Sequence, residues 1–199
     1  MDINFLKTSY KTAHIEQLLD DDRHQTVLVH EMLPTLNEVT DALLKDGEWL
    51  SRAQPILEVL NADSVRTQIV WAMTFTANIL GPDVCNEYLK TYPGPFVAAS
   101  LVVSSDPGVM AHGKGRTSIP QLIGRLAASY ALYRVDLSDI GDDTATLQTN
   151  LTVIEGFLSK EVSSEYVRRL ARKYAIKLLF ESISDVEKTY GLDETTTLH

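Results

Sequence analysis

The sequence has little of several residue types, and each shortage excludes a class of protein. Cys85 is the only cysteine among 199 residues, so an intrachain disulfide and a cysteine-based zinc site are both excluded. The longest apolar stretches, such as 69–75 and 96–103, are far shorter than the roughly 20 residues that span a bilayer. The first residues lack the basic and apolar regions of a secretory signal. We therefore expect a protein of the cytoplasm, or of a virion, with no membrane partner.

Signatures of catalysis are equally scarce. The histidines lie at intervals that do not place two of them on one helix face, and His112 has no carboxylate close to it in the sequence. The chain has neither a Gly-x-Ser-x-Gly elbow nor a His-Glu-x-x-His metal pair. Cys85 has no histidine nearby and is expected to be a buried packing thiol. We predict no enzyme activity, no metal and no cofactor.

Apolar residues at helical spacing dominate the chain. They predict an all-α fold: a single compact multi-helix domain of about seven to nine helices over residues 1–191, with a glycine-rich basic loop. A mobile acidic tail is expected over 192–199. The helix over 64–80 is apolar on most sides and ends at Gly81-Pro82, which places it at the centre of the core. Residues 96–103 fit a buried strand or a helix, and the lack of strand partners nearby favours a helix.

Prolines and glycines suggest the other helix boundaries. Pro34 is expected to end one helix, and Gly47 to follow the end of the next. Pro55 suits the first turn of a further helix.

Charge is distributed unevenly along the chain, whose net charge is −9. Residues 1–111 carry 7 lysines and arginines against 15 acidic residues, whereas residues 112–177 carry 10 against 7, and residues 178–199 carry 1 against 5. The basic middle section suggests contact with a polyanion or with the acidic surface of another copy. The alternative is a chance imbalance among solvated surfaces.

The glycine-rich segment 108–115 comes close to the phosphate loop Gly-x-x-x-x-Gly-Lys-Ser/Thr. Gly115 stands where the magnesium-binding hydroxyl is required, so a nucleotide-hydrolysing site is not expected. The sequence does predict a capping box between Ser118 and Gln121 at a helix start. Free amides there, with Lys114 and Arg116 beside them, are candidates for anion binding. The alternative is an ordinary solvated loop.

The last predicted helix carries five cations within ten residues and no acidic residue among them. Their mutual repulsion favours a negative partner, either nucleic-acid phosphate or the acidic run 20–22 of this or another copy. The alternative is a solvated face. On a helical wheel they lie away from the apolar stripe of Val167, Leu170, Tyr174 and Leu178. The five cations are Arg168, Arg169, Arg172, Lys173 and Lys177.

Tyrosines interleave with the basic section and can stack on unpaired bases. Tyr130 and Tyr174 fall on apolar stripes and are expected in the core, which leaves Tyr133 and Tyr166 as the stacking candidates.

Three functions fit these features. The first is a self-assembling structural protein that binds or packages nucleic acid, in the manner of a viral coat or nucleocapsid protein, with a homo-oligomer and single-stranded nucleic acid as partners. The second is a helical interaction module, an adaptor or regulatory subunit, whose basic helix binds an acidic protein. The third is an enzyme that holds a phosphorylated ligand in the loop 108–118. The charge layout favours the first.

Overall fold

A computed structural model describes residues 22–60, 65–105, 118–135 and 143–189. Within these ranges the chain forms eight helices and no strand, which confirms the all-α prediction for a single compact domain. Most of the predicted glycine-rich loop, and the whole of the predicted tail, lie outside the described residues. The helices are α1 (Asp22–Leu43), α2 (Gly47–Leu60), α3 (Val65–Leu80), α4 (Pro82–Thr91), α5 (Pro93–Ser104), α6 (Ile119–Arg134), α7 (Asp143–Glu161) and α8 (Glu165–Thr189).

Helices α3, α5 and α6 form the centre of the domain. Every residue of α3 from Ala72 to Leu80 is buried, as its apolar composition predicts. Gly81 follows at φ 94°, a backbone conformation that glycine adopts without steric cost. Pro82 then starts α4 instead of a loop. Helix α5 packs between α3 and α6, so the middle of the core is helix on helix.

The ambiguous segment 96–103 is helical, as we favoured. It belongs to α5, which begins at Pro93. A proline in the first turn costs no hydrogen bond, because the first amides of a helix have no partner within it. Seven of its eight residues are buried, and burial on all sides explains why the apolar run shows no periodicity.

The predicted boundaries at three positions are wrong. Pro34 lies inside α1, and Pro55 lies inside α2. A proline within a helix removes one backbone hydrogen bond, but Leu36, two residues after Pro34, is fully buried, and so the packing of α1 continues past the proline. Gly47 begins α2 rather than ending α1. The carboxylate of Asp46 accepts hydrogen bonds from the amides of residues 48 and 49 and so caps this start.

Helices α6 and α8 form the most extensive helix pair of the domain. Gly124 makes their close approach possible. A Cβ atom at this position would overlap the carbonyl oxygen of Ala171 and would lie 3.1 Å from the backbone nitrogen of Ala175. The two small residues of α8 and the glycine of α6 therefore bring the two backbones together. This contact fixes which side of α8 faces the core and which side faces outward.

A buried aromatic cluster joins α4, α5, α6 and α7. The ring of Tyr88 stacks on Phe96 with centroids 4.7 Å apart and meets the edge of Tyr130 at 5.3 Å. Its hydroxyl donates a hydrogen bond to the carboxylate of Glu161 at 3.1 Å. Burial, followed by the charge of Glu161, raises the pKa of the Tyr88 hydroxyl. The cluster is a packed core in which both tyrosine hydroxyls have polar partners, since the hydroxyl of Tyr130 accepts a hydrogen bond from Arg134 at 3.4 Å.

Candidate nucleic-acid interface

Helix α8 has a core side made of small and aliphatic residues. The buried positions are four residues apart, at Val167, Ala171, Ala175 and Leu179. The sequence placed the stripe at Val167, Leu170, Tyr174 and Leu178, but the last three of these are only half-buried and flank the true contact line. The close approach at Gly124 selects alanines for the centre of the stripe, because larger side chains would keep α6 and α8 apart.

The opposite side of α8 is both cationic and aromatic. At 100° per residue, five exposed residues fall within an arc of about 80°. We call this set the outer face of α8. The exposed fractions of its two aromatic residues are 54% for Tyr166 and 51% for Phe180. The set consists of Tyr166, Arg169, Lys173, Lys177 and Phe180.

The three cations of the outer face have few internal partners. Within the described ranges, Lys177 forms an ion pair with Glu181 at 3.6 Å, one turn along the helix. Both side chains are more than half exposed, so this pair is weak. Neither Arg169 nor Lys173 forms an ion pair with any residue that the structure describes. The guanidinium of Arg169 lies 5.8 Å from the ring centroid of Tyr166. Two of the three charges therefore remain uncompensated by the described part of the chain.

The other two cations of the predicted cluster turn toward α7. Arg168 donates from Nε to the carbonyl of Val162 at 3.1 Å and from Nη2 to the carbonyl of Ser163 at 3.3 Å. Arg172 forms an ion pair with Glu155 of α7. The repulsion that the sequence implied is therefore relieved within the domain at these two positions. The five cations divide into two that hold the α7–α8 corner and three that face outward.

The start of α6 is capped as predicted. The amide of Gln121 donates to the hydroxyl of Ser118, and the side chain of Gln121 accepts from the amide of Ser118 at 2.7 Å. Pro120 has no amide hydrogen. An anion would thus meet fewer free donors here than at an uncapped helix start. Lys114 and Arg116, the two predicted cations of this site, lie outside the described residues.

Tyr133 does not share a surface with the outer face of α8. It is half-buried, and burial raises the pKa of its hydroxyl. The guanidinium of Arg52 lies over the ring of Tyr133, 5.7 Å from the ring centroid. It also donates a hydrogen bond to the backbone carbonyl oxygen of Tyr133 at 3.5 Å. Tyr133 is nine residues from Gly124 on α6, which is half a turn around the helix, and so it points away from α8. The structure therefore brings Tyr166 to the cations but leaves Tyr133 elsewhere.

Sequence reasoning missed two features of the surface. Phe180 belongs to the outer face, and the signal for it was available, since it repeats the helical spacing of the cations seven residues after Lys173. The second feature is Arg134, whose guanidinium lies 4.0 Å from the ring centroid of Tyr92 and donates to its hydroxyl at 2.9 Å. These two residues are 42 positions apart, and only the tertiary fold brings the last turn of α6 beside Tyr92, which follows α4.

The predictions for Cys85 and Tyr130 are confirmed. Both side chains lie in the core with at most 1% of their surface exposed. Burial raises the pKa of the Cys85 thiol, which disfavours the reactive thiolate. Among the side chains that the structure describes, no three histidine, cysteine or carboxylate residues are grouped as a metal site would require.

Comparisons with protein families, with curated proteins and with solved structures give no match for this chain. None of the helices in the described ranges combines the length and the apolar character needed to cross a bilayer. The geometry of the surface therefore provides the evidence on function.

Proposed function

We propose that this protein is a self-assembling structural protein that binds or packages nucleic acid, similar in role to a viral coat or nucleocapsid protein. The observation that carries the proposal is the outer face of α8. It presents three cations on one side of one helix. Each cation is four residues, or about 6 Å along the helix axis, from the next. Regularly spaced cations suit a ligand whose negative charges repeat along a chain, and the phosphate backbone is such a ligand.

The internal use of Arg168 and Arg172 supports this assignment. Both arginines have structural partners on or beside α7, so their presence is explained without a ligand. Arg169 and Lys173 have no such explanation within the described residues. A protein with a net charge of −9 has many carboxylates to offer, yet these two cations stay exposed. Retaining unpaired positive charge is favourable when an external anion occupies the surface.

Self-assembly follows from the charge layout. The acidic front of the chain, with 15 acidic residues against 7 basic ones in 1–111, is complementary to the basic section 112–177 of a second copy, at cations other than those of the outer face, which the nucleic acid occupies. Contact between unlike surfaces repeats from copy to copy and produces a ring or a filament. Bound nucleic acid would strengthen such an array by engaging many outer faces at once.

The test combines particle size with salt dependence. Light scattering should show growth into large particles when single-stranded RNA is added at low salt, and reversal at high salt. The logarithm of the binding constant should fall linearly with the logarithm of the salt concentration. In the variant Arg169→Gln/Lys173→Gln/Lys177→Gln the magnitude of that slope should decrease by about 2, because each lost phosphate contact on a single strand removes about 0.7.

A matched control removes three exposed cations that lie outside α8, of which Arg66 forms an exposed ion pair with Asp41. The variant Lys45→Gln/Arg66→Gln/Lys90→Gln changes the net charge by the same amount and leaves α8 intact. An equal loss of slope in both variants would mean that only net charge matters, and the assignment to α8 would be wrong. A chain that stays monomeric and binds no RNA at any salt concentration would contradict the proposal and favour the interaction module. Thermal stabilisation by nucleotides alone would instead favour the phosphate-ligand enzyme that uses the loop 108–118.

A further inference from the structure

We infer that the outer face of α8 takes unpaired bases, with Tyr166 and Phe180 as two stacking platforms at the ends of the row of cations. This inference rests on the proposed function and specifies its ligand: a single strand bound without strong sequence preference. It assigns a role to Phe180, an exposed phenylalanine that the phosphate contacts alone do not explain.

The placement of the two rings is the first argument. Phe180 follows Tyr166 by 14 residues, which corresponds to about 21 Å along the helix axis and a rotation of only about 40°. Both rings are therefore on the same side of α8, with Arg169, Lys173 and Lys177 between them. A strand stacked as in a duplex advances about 3.4 Å per nucleotide, so the distance between the rings corresponds to at most about six nucleotides.

The exposure of the rings is the second argument. About half of each side chain is accessible, 54% for Tyr166 and 51% for Phe180, although both residues belong to a helix whose other side enters the core. Among the residues that the structure describes, Phe180 forms no ring–ring and no cation–π contact, so no such contact accounts for its position. Aromatic faces bordered by positive charge are the elements with which proteins bind single strands, since bases stack on the rings while the cations contact the phosphates.

The chemistry of the bases is the third argument. In a duplex each base already stacks on two neighbours, so a protein ring can reach a base face only by unstacking it, which costs free energy. In a single strand the faces are available. Every base has such a face, so rings of this kind discriminate little between sequences. The outer face therefore matches a single strand better than a duplex.

The experiment separates the rings from the cations. Fluorescence anisotropy measures the binding of labelled oligothymidine of 15 nucleotides, and of a 15-base-pair duplex, over a series of salt concentrations. The variants Phe180→Leu and Tyr166→Leu keep an apolar side chain but remove the aromatic face. Each should weaken binding of the single strand by roughly 5- to 150-fold and leave the salt slope unchanged. Trp71→Leu, which removes an exposed aromatic ring from α3, is the matched control and should leave the affinity unchanged.

The outcomes distinguish this inference from the function on which it rests. Single-strand binding that exceeds duplex binding, and that falls in both ring variants but not in Trp71→Leu, supports it. Two results would show that the inference is wrong while the proposed function stands. In one, the triple cation variant lowers the slope while the ring variants bind as wild type. In the other, the duplex binds as tightly as the single strand. If the wild-type protein binds neither probe, both are wrong. Circular dichroism of each variant shows whether α8 has kept its helix.

Discussion

The two sides of α8 differ in the kind of residue they carry and in what a change there would do. The core side is a line of aliphatic residues whose two central alanines lie in backbone contact with α6 at Gly124, where even a methyl group has no room. The outer face carries long side chains that end in solvent. One helix thus serves as a structural element and as a binding surface. Substitutions on the core side should affect the free energy of unfolding, whereas those on the outer face should affect binding.

The largest effect is expected at the contact between α6 and α8. Gly124→Ala should destabilise the protein by about 3 kcal/mol, because its Cβ meets backbone atoms that cannot move aside without separating the helices. Urea denaturation measures this change. Gly156→Ala is the control, since a Cβ there meets nothing within 4 Å and should instead stabilise helix α7 by about 0.5–1 kcal/mol. Equal effects at both glycines would show that α6 and α8 are not in backbone contact.

The next largest effect on stability is expected at Arg168, and its neighbour Arg169 should behave differently. Arg168→Ala should cost about 1.5 kcal/mol, because its guanidinium donates to two carbonyl groups at the α7–α8 corner. Arg169→Ala should change stability by less than about 0.5 kcal/mol while weakening RNA binding. Paired measurements of unfolding and of RNA affinity test the contrast. The reverse ranking in stability would mean that the division of the five cations is wrong.

High pH should lower the stability of the folded protein through Tyr88 in the core. Burial raises the pKa of Tyr88 in the folded state, so the folded chain keeps this proton above about pH 10, where the unfolded chain loses it. The folded state then binds more protons, and stability falls as pH rises, by up to about 1.4 kcal/mol per pH unit for this group. Stability measured from pH 9 to 11 should decline less steeply in Tyr88→Phe. Parallel curves for both proteins would exclude Tyr88 as a cause.

The smallest effect concerns the edge of the outer face. Glu181→Gln removes the carboxylate that pairs with Lys177. Its cost in stability should be no more than about 0.5 kcal/mol, as for other exposed pairs one helical turn apart. RNA affinity should increase, because Lys177 becomes available to phosphate. A decrease in affinity would mean that the charge of this face does not govern binding.

Much of the fold could be predicted from periodicity and capping signals. Three predictions of this kind depend on nearby residues and are confirmed. They are the central position of α3, the helical state of 96–103 and the capping box of Ser118. The helix end at Pro34 and the helix start at Pro55 were predicted by local rules that tertiary packing overrides. Helix α1 continues through its proline because Leu36, beyond it, is buried against other helices, and the sequence around Pro34 does not contain that information.

The candidate site, too, could be predicted from the sequence only in part. A cluster of five cations was visible in the sequence, and so was the cap of Ser118. Which cations would face outward was not visible, because it depends on Glu155 and on two carbonyl groups at the end of α7. Tyr133 was a reasonable stacking candidate by composition. Only the position of Arg52, 81 residues away, shows that its ring is covered.

The amino-acid sequence by itself determined that this chain is helical, because helical periodicity and caps arise from residues within a few positions of each other. It also determined that the last helix is cationic. The tertiary structure decided the rotation of that helix, since the contact of Gly124 with Ala171 and Ala175 sets which side is buried. That rotation places Tyr166 and Phe180 outward with three cations between them. Contacts between distant residues, which no local pattern encodes, thus selected the surface on which the proposed function depends.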